Sequence, residues 1–225
     1  MKPICVVPAR GGSKRFPRKN VAPLAGKPLL AWTVEPAVAS GLFDAVWVSS
    51  EDEAILEEAE RWGGEPLRRA GDLGGDLVSV VDVALDALDR VGDGADAVYL
   101  MLPTSPLRSP ETIRRAWARF EESGADALLS VVPLDYPCAW GLGLDAEGAL
   151  RPLDPVGYDT PRQQLTPAYR HDGGHAIVAA EPFRVRRALL AERTVAFEAP
   201  EEETVDVDRE IDLAWAEFLL ERRAR

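Results

Sequence analysis

Short apolar runs rich in β-branched residues alternate with longer amphipathic segments along this chain. The short runs predict strands at residues 4–7, 45–49, 97–102, 127–132, 175–179 and 195–198. The longer segments predict helices at residues 29–40, 51–62, 78–91, 110–123 and 211–220. This alternation is typical of an α/β fold in which helices cover both faces of a mostly parallel sheet. Because such folds bind ligands beyond the carboxyl ends of their strands, we expect the functional loops to share one rim of the sheet.

The pattern breaks between about residues 135 and 170, a stretch rich in Pro, Gly and Asp. Within it, a hairpin is predicted at residues 142–150, around the turn Ala146-Glu147-Gly148. Long irregular segments of compact domains are usually functional or contact a partner. We therefore interpret residues 1–225 as one domain that carries an insertion, or flap, at about residues 135–170.

Composition narrows the range of partners. The 225 residues are 46% hydrophobic, which is enough for a core, and they carry a formal net charge of −12. This acidic excess disfavours binding to nucleic acid or to an anionic membrane. The two cysteines, Cys5 and Cys138, lie far apart, which favours a reducing compartment over a disulfide framework. With no signal peptide or bilayer-spanning apolar run in the sequence, we expect a cytoplasmic protein.

Against this acidic background, the loop after the first strand is densely cationic. Residues 9–20 read ARGGSKRFPRKN and include five cations, Arg10, Lys14, Arg15, Arg18 and Lys19. Gly11 and Gly12 let backbone amides turn toward a ligand, and clustered amides and cations bind polyanions. The loop matches neither G-x-x-x-x-G-K-[ST] nor G-x-G-x-x-G. We predict a phosphate-binding loop of another type, the alternative being a solvated charged loop.

Two carboxylates near the end of the chain suggest a metal site. In the predicted strand Thr-Val-Asp-Val-Asp at residues 204–208, alternation puts Asp206 and Asp208 on the same face. Neighbouring carboxylates repel each other unless a cation or a shared proton relieves them. Magnesium favours one or two carboxylates together with the phosphate oxygens of a substrate. We therefore predict that this pair binds Mg²⁺, the alternative being a solvent-facing acidic strand end.

Two other segments have weaker chemical signals. Arg162 and Arg170 lie in and after a polar stretch, where they could hold a carboxylate through paired hydrogen bonds. Surface arginines without such a role are common, so spacing alone leaves both readings open. Residues 103–108, Pro-Thr-Ser-Pro-Leu-Arg, follow a predicted buried strand, and their two prolines predict a rigid turn at the rim of the sheet.

The cationic loop resembles the signature loop of the acylneuraminate cytidylyltransferases, the CMP-sialic acid synthetases. Further stretches resemble this family in the same order along nearly the whole chain. They are GKPL at residues 26–29, FD at 43–44, VSSED at 48–52, LPTSPLR at 102–108, PRQQL at 161–165 and VDVD at 205–208.

The resemblance implies a Rossmann-like nucleotidyltransferase fold of the GT-A type. It also implies a homodimer, built through the insertion, in which each insertion reaches the active site of the partner. The reaction would join CTP to an acidic acceptor, a nonulosonic or sialic-acid-like sugar, and release pyrophosphate. The hydroxyl of the sugar would attack the α-phosphorus in line, so that positioning and charge neutralisation carry the catalysis. The general base stays open, with a metal-bound water or one of the carboxylates as candidates.

The same resemblance assigns site residues. Those expected to be catalytic are Arg10, Lys14, Lys19, Asp206 and Asp208, with Mg²⁺ bound by the last two. Those expected to bind the nucleotide are Ala9, Arg10, Gly11, Gly12, Ser13, Lys14, Lys19, Asn20, Arg69 and Ser79. Those expected on the acceptor side are Leu102, Thr104, Ser105, Arg162, Gln163 and Arg170.

Three departures from the family pattern concern the acceptor side. Leu102 stands where the sialic-acid enzymes have a glutamine, residues 172–176 read DGGHA instead of NGAIY, and a lysine expected at Ala139 or Trp140 is missing. A site built to hydrogen-bond a substrate group discriminates roughly 10⁴-fold or more when that pairing is lost. We therefore expect an acceptor other than N-acetylneuraminate: another nonulosonate, a smaller keto-acid sugar, or a non-sugar acid or phosphonate.

Two alternative functions follow from the same residues. One is a nucleotidyltransferase of this fold that uses another nucleotide or a sugar 1-phosphate. The other is a non-catalytic nucleotide-binding paralogue, against which the intact cationic loop and carboxylate pair argue.

Overall fold

The computed structural model describes residues 1–13, 15–75 and 78–223, without the side chains of residues 71 and 72. The strands are Pro3–Pro8 (β1), Pro23–Leu24 (β2), Lys27–Pro28 (β3), Val46–Ser50 (β4), Glu65–Arg68 (β5), Ala97–Leu100 (β6), Ala127–Pro133 (β7), Leu142–Leu144 (β8), Leu150–Pro152 (β9), Tyr169–Ala179 (β10) and Thr194–Glu198 (β11). The α-helices are Ala31–Ala39 (α1), Glu53–Arg61 (α2), Val80–Val91 (α3), Pro110–Ser123 (α4), Ala180–Arg186 (α5) and Glu210–Arg223 (α6).

Seven strands form the main sheet, in the order β11-β7-β10-β6-β1-β4-β5. The pairs β1–β4, β1–β6, β4–β5 and β7–β11 are parallel, and only β10 runs antiparallel to both of its neighbours. The expected mostly parallel sheet is therefore confirmed. The chain extends the sheet from β1 to β4 and β5 and then returns to the other side of β1 with β6. This reversal between β1 and β6 is the topological switch point at which open α/β sheets bind their ligands.

The first strand shows why the sheet is covered on both faces. Its sequence, Pro-Ile-Cys-Val-Val-Pro, is an uninterrupted apolar run of the kind found in strands buried on both sides. Cys5 and Val7 join a core cluster with α1, α2 and α4. Ile4 and Val6 point the other way, into a cluster with α3 and α5. Helices on both faces, as expected, bury the whole central sheet.

The helix that needed no correction is α4, whose bounds are those expected. Its caps explain this accuracy: the Ser109 side chain accepts from the amide of Thr112 at 3.1 Å, and Pro110 occupies the first helical position. By contrast, α2 begins two residues later than expected because Asp52 is its N-cap and accepts from the amide of Ala54.

Among the described strands and α-helices outside the insertion, the two-residue strands β2 and β3, the strand β5 and the helix α5 were not predicted from the pattern. The strand β5, Glu-Pro-Leu-Arg, buries only Leu67 and lies at the edge of the sheet, where a proline is tolerated. The helix α5 spans only seven residues, too few for a clear helical period. The strand β10 is also longer than predicted: it begins at Tyr169, six residues before the first residue of the predicted strand.

The expected hairpin in the insertion is present. Strands β8 and β9 pair antiparallel as a separate two-stranded sheet, with Leu144 opposite Leu150. Both of these side chains are largely exposed. Among the described helices, none combines the length and apolarity needed to cross a membrane.

Candidate active site

A cleft of about 610 Å³ opens at the carboxyl ends of β1 and β6, at the switch point of the sheet. It is lined by three kinds of residue: cations and polar groups of the loop after β1, small and apolar residues that precede or begin α3, and the turn after β6. The lining residues are Pro8, Arg10, Ser13, Arg15, Lys19, Asn20, Arg69, Leu73, Gly74, Gly75, Val78, Val80, Val83, Leu102, Pro103, Thr104 and Asp208. The cationic loop and one of the paired carboxylates therefore share one cavity.

The glycine loop is fitted tightly against the loop after β4. The amide of Gly11 donates to Oε1 of Glu51 at 2.8 Å. A β-carbon at Gly11 would lie 2.4 Å from Oδ2 of Asp52, so only glycine fits there without a shift. At Gly12, a β-carbon would meet no described atom within 4 Å. Gly11 is therefore required because a side chain would collide with Asp52, whereas no described atom near Gly12 excludes a side chain there.

The cations of the loop surround Asp208. Lys19 Nζ lies 2.9 Å from Oδ1 of Asp208, and Arg15 lies 2.9 Å from Oδ2. The Lys19 side chain is only 11% exposed, whereas that of Arg15 is 74% exposed. Arg10 also lines the cleft, and Lys14 lies outside the residues that the structure describes. The loop therefore presents cations at the cleft, with Asp208 as their counter-ion.

Asn20, expected near the base or ribose, also shapes the loop. Its side-chain amide donates to the backbone carbonyl of Arg10 at 2.8 Å, and the residue is buried. Ala9 is fully buried, and its amide donates to the carbonyl of Ser49 at 2.9 Å. Both contacts tie the backbone around Arg10 to its neighbours, which restricts the conformations open to the loop.

Arg69 lies deep in the cleft and is paired with Glu51. Its Nε and Nη2 donate to Oε2 of Glu51 at 3.0 and 2.8 Å, and its side chain is only 4% exposed. Burial alone would raise the pKa of Glu51, but the Gly11 amide and the Arg69 guanidinium together lower it below the usual range. Glu51 is therefore held ionised between two parts of the cleft.

The prediction of a strand at residues 204–208 is wrong, because these residues form an irregular segment. The amide of Val207 donates to the carbonyl of Thr104 at 2.7 Å, in place of a ladder bond. Val207 is buried against Leu24, Leu29 and Ala216. Asp206 and Asp208 therefore flank an anchored residue without being part of a sheet.

The two carboxylates remain close enough to affect each other but titrate in opposite directions. Partial burial raises the pKa of Asp206, and the charge of Asp208 adds to this, against a hydrogen bond from Thr104 that lowers it. The hydrogen bond from Lys19 lowers the pKa of Asp208. Within the described residues, no three His, Cys, Asp or Glu side chains are grouped as a metal site. The protein thus offers two carboxylates, the number that Mg²⁺ commonly takes when a substrate supplies phosphate oxygens.

Arg108 holds the turn after β6, a role that the sequence did not reveal. Its guanidinium is buried and donates to the carbonyls of Leu102, Ser105 and Gly174, the Ser105 contact measuring 2.8 Å. Burial lowers the pKa of Arg108 to about 10, which leaves it cationic at neutral pH. The rigid turn expected from two prolines therefore also depends on a buried cation, which a sequence cannot distinguish from a surface arginine.

A second cleft, of about 540 Å³, lies beyond Asp206. Its lining residues are Arg170, Glu201, Glu202, Thr204, Val205, Asp206, Asp212, Trp215 and Leu219. Asp206 thus faces one cleft and Asp208 the other, and Thr104 of the first cleft hydrogen-bonds Asp206. The carboxylate pair marks the border between the two clefts.

Some expected site residues line neither cleft. Ser79 is exposed and caps α3, accepting from the amide of Asp82 at 3.1 Å. Ser105 is buried under the turn. Arg162 and Gln163 are exposed in a 3₁₀ turn of the insertion. In the described part of a single chain, Ser79 and Ser105 thus lie next to residues of the first cleft without lining it, and Arg162 and Gln163 belong to the insertion.

Residues 172–176, expected to mark the acceptor side, are instead part of the core. Asp172 is 3% exposed and accepts from Ser130 and from the amide of Gly174. His175 is 1% exposed, and its Nδ1 lies 2.7 Å from the hydroxyl of Tyr99. The expectation that these departures face the acceptor is corrected for Asp172 and His175, because their side chains complete a buried polar network. Leu102 is the departure that lines a cleft.

Comparison with solved structures agrees with this fold. The CMP:2-keto-3-deoxy-manno-octonic acid synthetase in complex with CTP has a TM-score of 0.72 and 18% identity, and the match covers 99% of this chain and 100% of that one. The 4-diphosphocytidyl-2C-methyl-D-erythritol synthase of Anaerococcus prevotii has a TM-score of 0.70 and 11% identity over 98% and 96% of the two chains. At these identities the matches establish the Rossmann-like fold alone.

Sequence comparison establishes more. The profile of the family described as cytidylyltransferase matches residues 4–150. Pseudaminic acid cytidylyltransferase of Campylobacter jejuni is 31% identical over 97% of this chain and 96% of its own length. CMP-N,N'-diacetyllegionaminic acid synthase of Legionella pneumophila is 32% identical over 98% and 97%. N-acylneuraminate cytidylyltransferase of Streptococcus agalactiae is 32% identical over 94% of this chain and 52% of its own length. The chain is thus a nucleotidyltransferase and belongs to the cytidylyltransferase family, as its first loop indicates.

Proposed function

We propose that this enzyme transfers CMP from CTP to the hydroxyl of a nonulosonic acid other than N-acetylneuraminate and releases pyrophosphate. The names of the relatives, which include a pseudaminic acid cytidylyltransferase, a CMP-legionaminic acid synthase and an N-acylneuraminate cytidylyltransferase, support a nonulosonic acid as acceptor. The exclusion of N-acetylneuraminate rests on Leu102, the departure from the family pattern that lines a cleft. The observation that carries the proposal is the carboxylate pair at the border between a cationic cleft and a second cleft that contains Arg170.

CTP binds in the first cleft. Arg10, Arg15 and Lys19 line it and supply the charge that a triphosphate requires, and Lys14 is assigned to the same task from the sequence pattern. The same cleft is also lined by Val78, Val80 and Val83 and by Arg69, which together supply an apolar surface and a guanidinium suited to a base and its polar edge. Ser79, between two of these valines, can reach the nucleotide only after leaving its capping bond.

Mg²⁺ fits the carboxylate pair by donor chemistry. Asp206 and Asp208 are hard oxygen ligands, and both oxygens of Asp208 already attract cations, namely Lys19 and Arg15. When bound, the ion would neutralise the triphosphate and the departing pyrophosphate. Thr104 orients this site from the protein side, since its carbonyl anchors Val207 and its hydroxyl binds Asp206.

The acceptor binds in the second cleft. Its described lining contains one cation, Arg170, which can hold the carboxylate of a nonulosonic acid. Four carboxylates line the same cleft, those of Glu201, Glu202, Asp206 and Asp212, and Asp206 lies between that cleft and the nucleotide. The acceptor hydroxyl attacks the α-phosphorus in line and gives its proton to a base, for which a carboxylate of the Asp206–Asp208 pair is the candidate among the described residues. The new O–P bond forms as the bond from the α-phosphorus to the bridging oxygen breaks, and pyrophosphate leaves. Catalysis depends on holding the acceptor hydroxyl in line with the α-phosphorus across the carboxylate pair that lies between the two clefts. Of the residues expected on the acceptor side, Leu102 and Thr104 line the nucleotide side of that border.

We also propose a homodimer built through the insertion of about residues 135–170, within a single catalytic domain. Leu144, Leu150 and Val156 are 71%, 64% and 87% exposed, an apolar surface that a partner subunit would cover. In such a dimer, the insertion can carry Arg162 and Gln163 to the site of the partner. The free thiols Cys5 and Cys138 are consistent with a reducing compartment such as the cytoplasm.

A screen of pyrophosphate release tests the proposal. The purified enzyme is assayed with CTP and Mg²⁺ against pseudaminic acid, a legionaminic acid, N-acetylneuraminate, small keto acids and sugar 1-phosphates, and each active acceptor is repeated with UTP and with EDTA. We expect release with CTP and a nonulosonate and its loss in EDTA. Efficient turnover of N-acetylneuraminate would refute the acceptor assignment. Tight CTP binding with no release from any acceptor would favour a non-catalytic paralogue.

A further inference from the structure

Glu51 connects three segments that form the nucleotide cleft. It follows β4, its Oε1 accepts from the amide of Gly11, and its Oε2 accepts from Arg69, the residue after β5. The turn before α3 packs on the same side chain, since a β-carbon at Gly74 would lie 2.9 Å from Cγ of Glu51. One carboxylate therefore fixes the glycine loop, the guanidinium and the turn of Gly74 relative to one another.

The geometry restricts Arg69 to one orientation. Nε and Nη2 each donate one N–H to Oε2 of Glu51, so both N–H groups of Nη1 and the second N–H of Nη2 are left for a ligand in the cleft. A guanidinium is planar, so two hydrogen bonds to a fixed carboxylate determine the direction of the remaining N–H groups. The side chain is nearly buried, which leaves it few alternative rotamers.

The neighbouring ion pair shows that this contact is not a general feature of the strand ends. Glu53 pairs with Arg68 two residues from Glu51 and one from Arg69, but the two side chains are 64% and 57% exposed. Such an exposed pair contributes little to geometry or stability. It also provides a control with the same residue types at neighbouring positions of the chain.

We propose that Glu51 is a positioning residue that sets the preference of the enzyme for cytosine over uracil by fixing the orientation of Arg69. The proposal rests on the proposed function, in which the base of CTP lies beside Arg69. Cytosine offers two adjacent acceptors, O2 and N3, whereas N3 of uracil is a donor. A guanidinium N–H held in one direction matches the cytosine edge and meets an N–H of uracil, but a free guanidinium can turn to another uracil oxygen.

The test uses Glu51→Gln, Glu51→Asp and the control Glu53→Gln. KM and kcat are measured for CTP, for UTP and for the acceptor. For Glu51→Gln we expect the KM for CTP to rise about 10- to 100-fold, the ratio of kcat/KM for CTP to that for UTP to fall about 10-fold, and the KM for the acceptor to stay unchanged. Glu53→Gln keeps the wild-type values. The ratio isolates Arg69, because the glycine loop binds the phosphates of both nucleotides equally.

A double variant separates positioning from a merely structural role. If Glu51 acts through Arg69, Glu51→Gln combined with Arg69→Gln has the same CTP-to-UTP ratio as Arg69→Gln alone. An unchanged ratio in Glu51→Gln, or a further fall in the double variant, overturns the proposal. If Glu51→Gln lacks a cooperative thermal transition, Glu51→Asp, which keeps the charge but is one methylene shorter, provides the same comparison. Failure of the wild-type enzyme to use CTP would instead refute the proposed function.

Discussion

Gly11→Ala tests whether the glycine loop is held in place by contact with the loop after β4. The new methyl group would lie 2.4 Å from Oδ2 and 2.9 Å from Cβ of Asp52. Asp52 cannot simply turn away, because its Oδ1 caps α2 through the amide of Ala54 at 2.9 Å. Either the cap is lost or the loop lifts, and a lifted loop loses the hydrogen bond from the Gly11 amide to Glu51.

The cost follows from which contact is lost. Losing the cap costs about 1 kcal/mol, and losing a hydrogen bond to a charged group costs about 1.5–3 kcal/mol. We therefore expect Gly11→Ala to lower the free energy of unfolding by about 1–3 kcal/mol. For a chain of this length, that corresponds to a fall in Tm of about 2–12 °C.

The assay is thermal and urea unfolding of the free protein, with Gly12→Ala as the control. A β-carbon at Gly12 meets no described atom within 4 Å, so the control should keep the wild-type Tm. Measuring without CTP removes any clash between the new methyl group and the nucleotide. Equal Tm values for Gly11→Ala, Gly12→Ala and the wild type would show that the loop does not depend on this close contact.

Four further predictions concern the carboxylates, the buried arginine and the metal. Asp206→Asn should lower kcat about 10²–10³-fold in the pyrophosphate assay. Because the fold raises the pKa of Asp206 and so favours its neutral form, the neutral amide should leave Tm unchanged or higher. A lower Tm would contradict the argument from burial. Arg108→Met should lower the free energy of unfolding in urea by about 2–4 kcal/mol, because it leaves buried carbonyls unpaired. The control Arg61→Met, which removes an exposed ion pair on α2, should change it by less than about 0.5 kcal/mol. Since the fold lowers the pKa of Glu51, its stabilising effect should be present above pH 4.5 and lost as the pH falls below that value, so unfolding of Glu51→Gln should depend less on pH there. In calorimetric titrations, Mg²⁺ should bind weakly to the free enzyme and more tightly to the enzyme that holds a non-hydrolysable CTP analogue. Equal affinities would contradict the proposal that Asp208 pairs with Lys19 and Arg15 in the free enzyme and with Mg²⁺ when CTP is bound.

The central sheet and its rim were predictable because their signals are local. Continuous apolar runs indicate doubly buried strands, and a serine followed by proline fixes the start of α4. The repeat Val-Asp-Val-Asp at residues 204–208 imitates a strand, but only a neighbouring strand could complete its ladder. The amide of Val207 instead meets the turn after β6, a contact between distant parts of the chain that no local pattern contains.

Part of the lining of the candidate site was predictable from the sequence. The glycines and cations of residues 9–20 indicate an anion site by composition alone, and Arg10, Ser13 and Lys19 do line the cleft. The roles of Glu51 and Arg108 were not predictable, because each depends on several loops that meet only in the folded chain. The departures at Asp172 and His175 were misplaced for the same reason: a buried polar side chain and a ligand-binding one look alike in a sequence.

The ion pairs of Asp208 bear on whether nucleotide and metal bind separately or together. Lys19 and Arg15 keep Asp208 ionised and neutralised in the free enzyme. A triphosphate that enters the cleft competes for these cations, and Asp208 then lies uncompensated beside Asp206, whose pKa is already raised. Two neighbouring carboxylates without a counter-ion repel each other unless a cation arrives with the nucleotide. Under the proposed function, the ion pairs of Asp208 in the free enzyme therefore favour binding of CTP and Mg²⁺ together over binding of either one alone.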